Sequence, residues 1–64
     1  MFKIGDCVLH QRTGYFGKVV GYGHQILDSV YLPTLKVRVD RVADMNQGSF
    51  VEDLSSAWMQ TEGD

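Results

Sequence analysis

The sequence has few of the covalent links that stabilise many small proteins in addition to a hydrophobic core. It contains one cysteine and one proline in 64 residues, so an internal disulfide is excluded and most of the chain is open to regular structure. No apolar run approaches the roughly 18 residues of a membrane helix, and the apolar start of the chain meets Asp6 too early for a signal-peptide core. We expect one soluble domain in a reducing, cytoplasmic compartment.

Positive charge is also scarce. Six Lys and Arg stand against eight Asp and Glu, which gives a net charge of -2 and argues against binding to nucleic acid mainly through phosphates. The charge is uneven, because all the cations lie before residue 42 and most of the carboxylates lie after it. A local basic patch is therefore an alternative to ordinary mixed surface charge, and its candidate residues are Arg12, Lys18, Lys36 and Arg38.

No set of side chains forms a catalytic or metal-binding motif. Cys7 and His10 are three residues apart on a predicted strand, so their side chains face opposite sides of it. His10 and His24 lack a third ligand at zinc spacing. We predict no enzymatic activity, no cofactor and no bound metal. The acidic residues lack the spacing of a calcium-binding loop and are expected to be solvated: Asp40, Asp44, Glu52 and Asp53.

Apolar residues recur with a period of two almost throughout the chain, which predicts an all-β fold. The clearest strand covers residues 34–40, where Leu35, Val37 and Val39 alternate with polar residues. The predicted core is Val8, Val19, Leu35, Val37, Val39, Phe50 and Leu54. Strands are predicted at residues 7–10, 17–23, 34–40, 48–52 and 57–60, with one 3₁₀ turn at 53–56 capped by Asp53.

Residues 24–33 are predicted to form one long connection that packs against the domain. Five of these ten residues are apolar, whereas Asp28, Ser29 and Pro33 argue against a regular central strand. A core of roughly a dozen side chains cannot bury all of them. We therefore expect this segment to contribute an exposed apolar patch of the size that marks interaction sites.

The beginning of the chain resembles a known group of small barrels. Residues 3–8 read KIGDCV and residues 13–21 read TGYFGKVVG, which is similar to the opening of KOW-type domains and of the plasmid-borne small-barrel dihydrofolate reductases. Residues 37–40 and 50–54 are similar to the close of photosystem I subunit IV and related ferredoxin-docking barrels. The resemblance implies a five-stranded SH3-like small barrel over residues 1–60, with a frayed tail at 61–64.

The reductase activity is not implied by this resemblance. Those enzymes need a Val-Gln-Ile-Tyr segment in the fourth strand, where this chain reads GSFVE over residues 48–52. The glycines, Asp6 and the alternating valines serve the backbone and core of any such barrel, so they specify the fold better than the function.

The aromatic residues are the best sequence signal of function. Three Tyr, three Phe and one Trp exceed what a very small core needs, and exposed Tyr and Trp are common interface anchors. We predict a non-catalytic module that docks on a protein partner or self-associates through Tyr22, Ile26, Leu27, Tyr31, Leu32 and Trp58. The alternative is a KOW-like barrel that binds nucleic acid through the four cations, with Tyr15 or Phe16 stacking on bases.

Overall fold

The computed structural model describes residues 2–40 and 49–61. It consists of one antiparallel sheet with the strand order β4-β3-β2-β1-β5. Within these ranges, the predicted all-β fold with five strands and one 3₁₀ turn is confirmed. The predicted closed barrel is not confirmed, because the edge strands β4 and β5 do not pair with each other in the described sheet. The elements are β1 (Cys7–His10), β2 (Phe16–Leu27), β3 (Val30–Val39), β4 (Phe50–Leu54), the 3₁₀ turn (Ser55–Ala57) and β5 (Trp58–Gln60).

The described part of the chain has no helix that is long and apolar enough to cross a membrane. Two predicted segments lie partly outside the described residues. These are the fourth strand, predicted to begin at Gly48, and the C-terminal tail, of which residues 62–64 are not described. Thr61, predicted to fray with them, instead donates its backbone N–H to the carbonyl of Cys7 at 2.9 Å.

Strand alternation places one face of the sheet in the core. Along β3, Leu35, Val37 and Val39 are buried while Lys36 and Arg38 are exposed, as the period of two predicts. The buried apolar residues are Val8, Val19, Leu35, Val37, Val39 and Trp58.

Two aromatic residues have the opposite burial from the one predicted. Phe50 was predicted in the core but is 67% exposed, and Trp58 was predicted on the interaction surface but is 2% exposed. Phe50 shares its side of β4 with the exposed Glu52, whereas Val51 between them turns inward. Trp58 therefore supplies the large aromatic volume of the core. Leu54, also predicted in the core, is half-buried and belongs neither to the core cluster nor to the residues packed against it.

The long connection predicted over residues 24–33 is instead a β-hairpin. β2 and β3 stay in register until Leu27 lies opposite Val30. Between them, Asp28 and Ser29 form a two-residue turn with φ values of 52° and 67°. Positive φ at both central residues is what a type I′ turn requires, and this turn matches the twist of the strands that it joins.

Pro33 does not interrupt β3, because of where it lies in the sheet. The last paired residues of β3 and β4 are Thr34 and Leu54, so at Pro33 only β2 accompanies β3. A strand tolerates proline where the missing N–H would point away from its partner. The proline that argued for a loop therefore lies within a strand that is an edge at that position.

β2 is shaped by a close approach and a bulge. A Cβ on Gly17 would run into the backbone carbonyl of Arg38 on β3, so only glycine fits there. The register of β2 against β3 shifts between Val19 and Gly21, and such bulges bend a strand and increase its twist. The bulge lies where β2 leaves the five-stranded part of the sheet.

Candidate protein-docking site

β2 and β3 extend beyond the rest of the sheet as a two-stranded ribbon, which we define as residues 24–33. β1 pairs with β2 no further than Lys18, and β4 pairs with β3 no further than Thr34. Within the ribbon, each strand therefore has only the other as a partner. The described residues accordingly extend over 37 × 23 × 18 Å.

The apolar side chains of the ribbon are exposed on both of its faces. The register places Ile26 opposite Tyr31 on one face and Leu27 opposite Val30 on the other. Their exposed fractions are 59% for Ile26, 51% for Leu27, 53% for Val30 and 69% for Tyr31. This apolar surface is thus available for contact with another molecule.

One face of the ribbon continues into a cavity at its base. We call it the aromatic face, and alternation places on it Tyr22, His24, Ile26, Tyr31 and Pro33. The cavity measures about 580 Å³ and is lined by Phe2, Tyr22, Gly23, Pro33, Thr34, Leu35 and Ser55. A surface groove with mainly apolar walls suits an apolar or aromatic side chain of a partner.

The aromatic face is partly ordered before any partner binds. The hydroxyl of Tyr22 donates to the carbonyl of Phe2 at 2.9 Å, which holds the tyrosine ring over the cavity. The rings of His24 and Tyr31 contact each other with centroids 5.0 Å apart. Because these side chains are already restrained, binding loses less rotamer entropy than it would with free side chains.

A part-buried hydrogen bond joins the base of the ribbon to β4. Thr34 is 2% exposed, and its hydroxyl donates to Oε2 of Glu52 at 2.6 Å. Gly23 makes room for this pair, since a Cβ there would collide with both side chains. The cavity wall formed by Thr34 therefore has a fixed position.

The structure brings together most of the residues that the sequence predicted for protein binding. Tyr22, Ile26, Leu27 and Tyr31 are exposed on the ribbon or at its base, and Leu32 is half-buried. Trp58 is excluded from this surface by its burial. Sequence reasoning assigned the whole segment 24–33 to the exposed patch but did not name His24, Val30 and Pro33 as binding residues, because it treated the segment as a loop. The period of two through residues 22–26 and 31–35 was the available signal.

A separate polar cluster links β1 to β4. His10 is 3% exposed, and its Nε2 lies 2.8 Å from Oδ2 of Asp53. The backbone N–H groups of Arg12 and Thr13 both donate to Nδ1 at 3.2 Å, so in the neutral ring the proton is on Nε2 and is donated to Asp53. This bond and the one from the N–H of Leu54 lower the pKa of Asp53.

This cluster packs against the hydrophobic core. Trp58 packs edge-on against His10, with ring centroids 4.8 Å apart and an interplanar angle of 87°, and Nε1 of Trp58 has no hydrogen-bond partner among the described residues. Cys7 lies on the opposite side of β1 from His10. The 3₁₀ turn begins after Leu54 without a side-chain cap, so the prediction that Asp53 caps it is wrong.

Three of the four cations predicted for nucleic-acid binding share one face of the sheet. Lys18 lies opposite Arg38, which lies opposite Phe50, and Lys36 precedes Arg38 by one period on the same side. Arg12 is instead in the turn between β1 and β2. Of the two aromatics predicted to stack on bases, Phe16 is 38% exposed and Tyr15 packs against the core.

In residues 2–40 and 49–61, no three His, Cys, Asp or Glu side chains lie close enough together to hold a metal ion.

Comparison with known proteins does not narrow the possible functions. No protein-family model, no curated protein and no solved structure matches this chain.

Proposed function

We propose that this chain is a non-catalytic interaction module that docks on protein through the aromatic face of its ribbon. The observation that carries the proposal is the exposure of Ile26 and Tyr31, 59% and 69%, on a face that continues into a cavity. A small domain gains most stability from burying such side chains. Their exposure is therefore best accounted for by contact with another protein.

The arrangement also fits the energetics of protein interfaces. Interfaces concentrate their binding energy in a few aromatic anchors set beside pockets. Here Tyr22 and Tyr31 supply the aromatic area, and the cavity between Phe2 and Pro33 accepts an anchor from the partner. No charged residue belongs to the aromatic face, which matches the depletion of charge at interface centres.

Photo-crosslinking tests this proposal with a matched control. Tyr31 and Phe50 are aromatic strand residues with nearly equal exposure, 69% and 67%, on different surfaces. A photoreactive phenylalanine at position 31 should give protein adducts in host cells, either to another protein or to a second copy, whereas the same residue at 50 should give few. Equal adducts at both positions, or adducts at 50 alone, would contradict docking through the aromatic face.

The fold and compartment form part of the same proposal. A small SH3-like barrel is supported by the strand order and by the His10 and Asp53 bond, which joins β1 to β4 across the open side of the sheet. A cytoplasmic location is supported by the single cysteine, which offers no internal disulfide.

Nucleic-acid binding is a second candidate function, favoured by the row of Lys18, Arg38 and Phe50. An exposed aromatic beside two cations could stack on a base and contact its phosphate. Glu52 lies opposite Lys36 in the neighbouring row, however, and the net charge is -2. We therefore expect an affinity for single-stranded RNA no tighter than about 10⁻⁴ M at physiological salt.

A fluorescence titration decides between the two candidates. Micromolar affinity with a steep salt dependence, lost in the Lys36→Glu plus Arg38→Glu variant, would favour the nucleic-acid function. Weak binding that this double variant leaves unchanged would favour protein docking.

A further inference from the structure

The backbone of the ribbon has two edges, and the chain protects them differently. Val39 donates its N–H to Ser49, so alternation along β3 directs the N–H positions of residues 31 and 33 away from β2. One of these positions is Pro33, which has no N–H to offer. An intruding strand therefore cannot complete a hydrogen-bonded ladder along the β3 edge.

The β2 edge lacks any such protection. Thr34 pairs with Gly23, and Leu32 pairs with Gln25. In each of these pairs the backbone N–H and C=O groups point toward the other strand, and this direction alternates along a strand. The N–H and C=O groups of Tyr22, His24 and Ile26 therefore point outward, away from β3. In the part of the chain that the structure describes, β3 is the only strand that pairs with β2 beyond Val19. On the other side of β2, the last backbone bonds are those of Val19 with Gly5 and Asp6. Exposed edges are normally blocked by charge or proline.

Residues 19–27 contain neither charge nor proline. Two copies of the segment can therefore approach each other without like-charge repulsion. An antiparallel strand edge is also its own complement, as a two-fold symmetric interface requires. These properties select a second copy of the chain as the partner of this edge.

We propose that two copies of the chain pair through their β2 edges, antiparallel about a two-fold axis at His24, to form one continuous sheet. In this register His24 lies opposite its own counterpart and Tyr22 lies opposite Ile26 of the other copy. All three outward-facing residues then pair, and the two aromatic faces join into one apolar surface. The inference rests on the proposed docking function, and it specifies the partner and the contact.

A proline substitution on the free edge tests the pairing directly. His24→Pro removes an outward N–H in both copies without removing a bond between β2 and β3. The control is Gln25→Ala, which changes a side chain on the opposite face and leaves every outward N–H in place. In sedimentation over a concentration series, wild type and Gln25→Ala should dimerise. His24→Pro should raise the dimer dissociation constant at least about tenfold through the loss of two backbone bonds, with an unchanged β spectrum by circular dichroism.

Site-specific crosslinking tests the register. In a Cys7→Ser background, His24→Cys should crosslink to its counterpart with a short dithiol-reactive reagent. Leu27→Cys should not, since three residues from the axis the two copies are separated by about 20 Å along the strands.

The results that overturn the inference are distinct from those that overturn the docking function. A monomer at all concentrations, or a dimer that persists in His24→Pro, contradicts edge pairing. If position 31 still crosslinks to another protein under those conditions, docking through the aromatic face stands and only the self-pairing is wrong.

Discussion

The five-stranded part of the sheet and the ribbon share the same two central strands but use apolar residues in opposite ways. In the sheet body, by which we mean the described residues outside 24–33, Val19, Val37 and Val39 are at most 2% exposed. In the ribbon, Ile26 and Tyr31 are more than half exposed on the same pair of strands. Stability of the single chain therefore resides in the body, whereas the exposed apolar side chains of the ribbon add little to it and carry the docking function that we propose.

Contacts between side chains show the same difference between the body and the ribbon. The body contains three hydrogen bonds between side chains that are far apart in the sequence, His10 to Asp53, Thr34 to Glu52 and Gln60 to Asp6. In the ribbon, the side-chain contact is local, between His24 and Tyr31 across the hairpin. Removing a body contact should therefore lower the free energy of unfolding, whereas removing the ribbon contact should leave it nearly unchanged.

The largest effect is expected from removing the core aromatic. Trp58→Ala should lower the free energy of unfolding by about 3–5 kcal/mol, as large-to-small core changes do, which would unfold most molecules of a domain this small. The adjacent Met59 is 47% exposed, and Met59→Ala should change stability by less than about 0.5 kcal/mol. Urea unfolding followed by circular dichroism measures both.

If Trp58→Ala is too unstable to study, Val37→Ala gives the same information. Val37 is fully buried, and its truncation should cost about 1–3 kcal/mol. Wild-type stability in both core variants would show that the body does not hold the fold.

The next largest effect concerns two glycines on one strand. Gly17→Ala should destabilise by about 1–3 kcal/mol because its Cβ meets backbone that cannot move aside. Gly21→Ala should be neutral or slightly stabilising, since a Cβ there makes ordinary contacts with the side chain of Lys36 at 3.6 Å and beyond. Thermal melts of the two variants should separate clearly, and equal melting would contradict the close approach of β2 and β3 at Gly17.

The sequence predicts features that depend on neighbouring residues better than features that depend on residues far apart in the chain. The burial of Leu35, Val37 and Val39 follows from alternation within one strand, which is a local signal. The hairpin was missed because Ser29 occupies the second position of the turn with positive φ, where type I′ turns usually have glycine. Pro33 added to the error, since its tolerance depends on where β4 ends.

The site was predictable in composition but not in geometry. Phe50 and Trp58 were assigned the wrong burial because aromatic content alone does not say which ring fills the core. The exposed Glu52, one period from Phe50, was the local signal that this side of β4 faces outward. The bond between His10 and Asp53 spans 43 residues, and no sequence pattern specifies such a pair.

A smaller effect is expected from the polar link between β1 and β4. Because the hydrogen bond from His10 lowers the pKa of Asp53, the stabilisation is present above the unfolded carboxyl pKa of about 3.9 and is lost as pH falls through the lower folded value. Asp53→Asn should lower the free energy of unfolding by about 1 kcal/mol at neutral pH. It should also flatten the acid limb, by which we mean the fall of the unfolding free energy as the pH is lowered.

The control for this prediction is Asp28→Asn in the exposed turn, where asparagine also tolerates positive φ. It should leave both the stability at neutral pH and the acid limb nearly unchanged. An acid limb of equal slope in wild type and Asp53→Asn would show that another group causes the acid sensitivity.

The smallest effect on stability is expected in the ribbon, where the contrast with the body is most direct. Tyr31→Asp and Phe50→Asp replace equally exposed aromatic residues, so each should change the unfolding free energy of the monomer by less than about 0.5 kcal/mol. The measurement must use dilute protein, because association adds stability by mass action. At high concentration only the ribbon variant should fall below wild type, since it alone weakens association. A loss of monomer stability in Tyr31→Asp would instead mean that the ribbon packs against its own chain, and the exposed aromatic face would then need no partner.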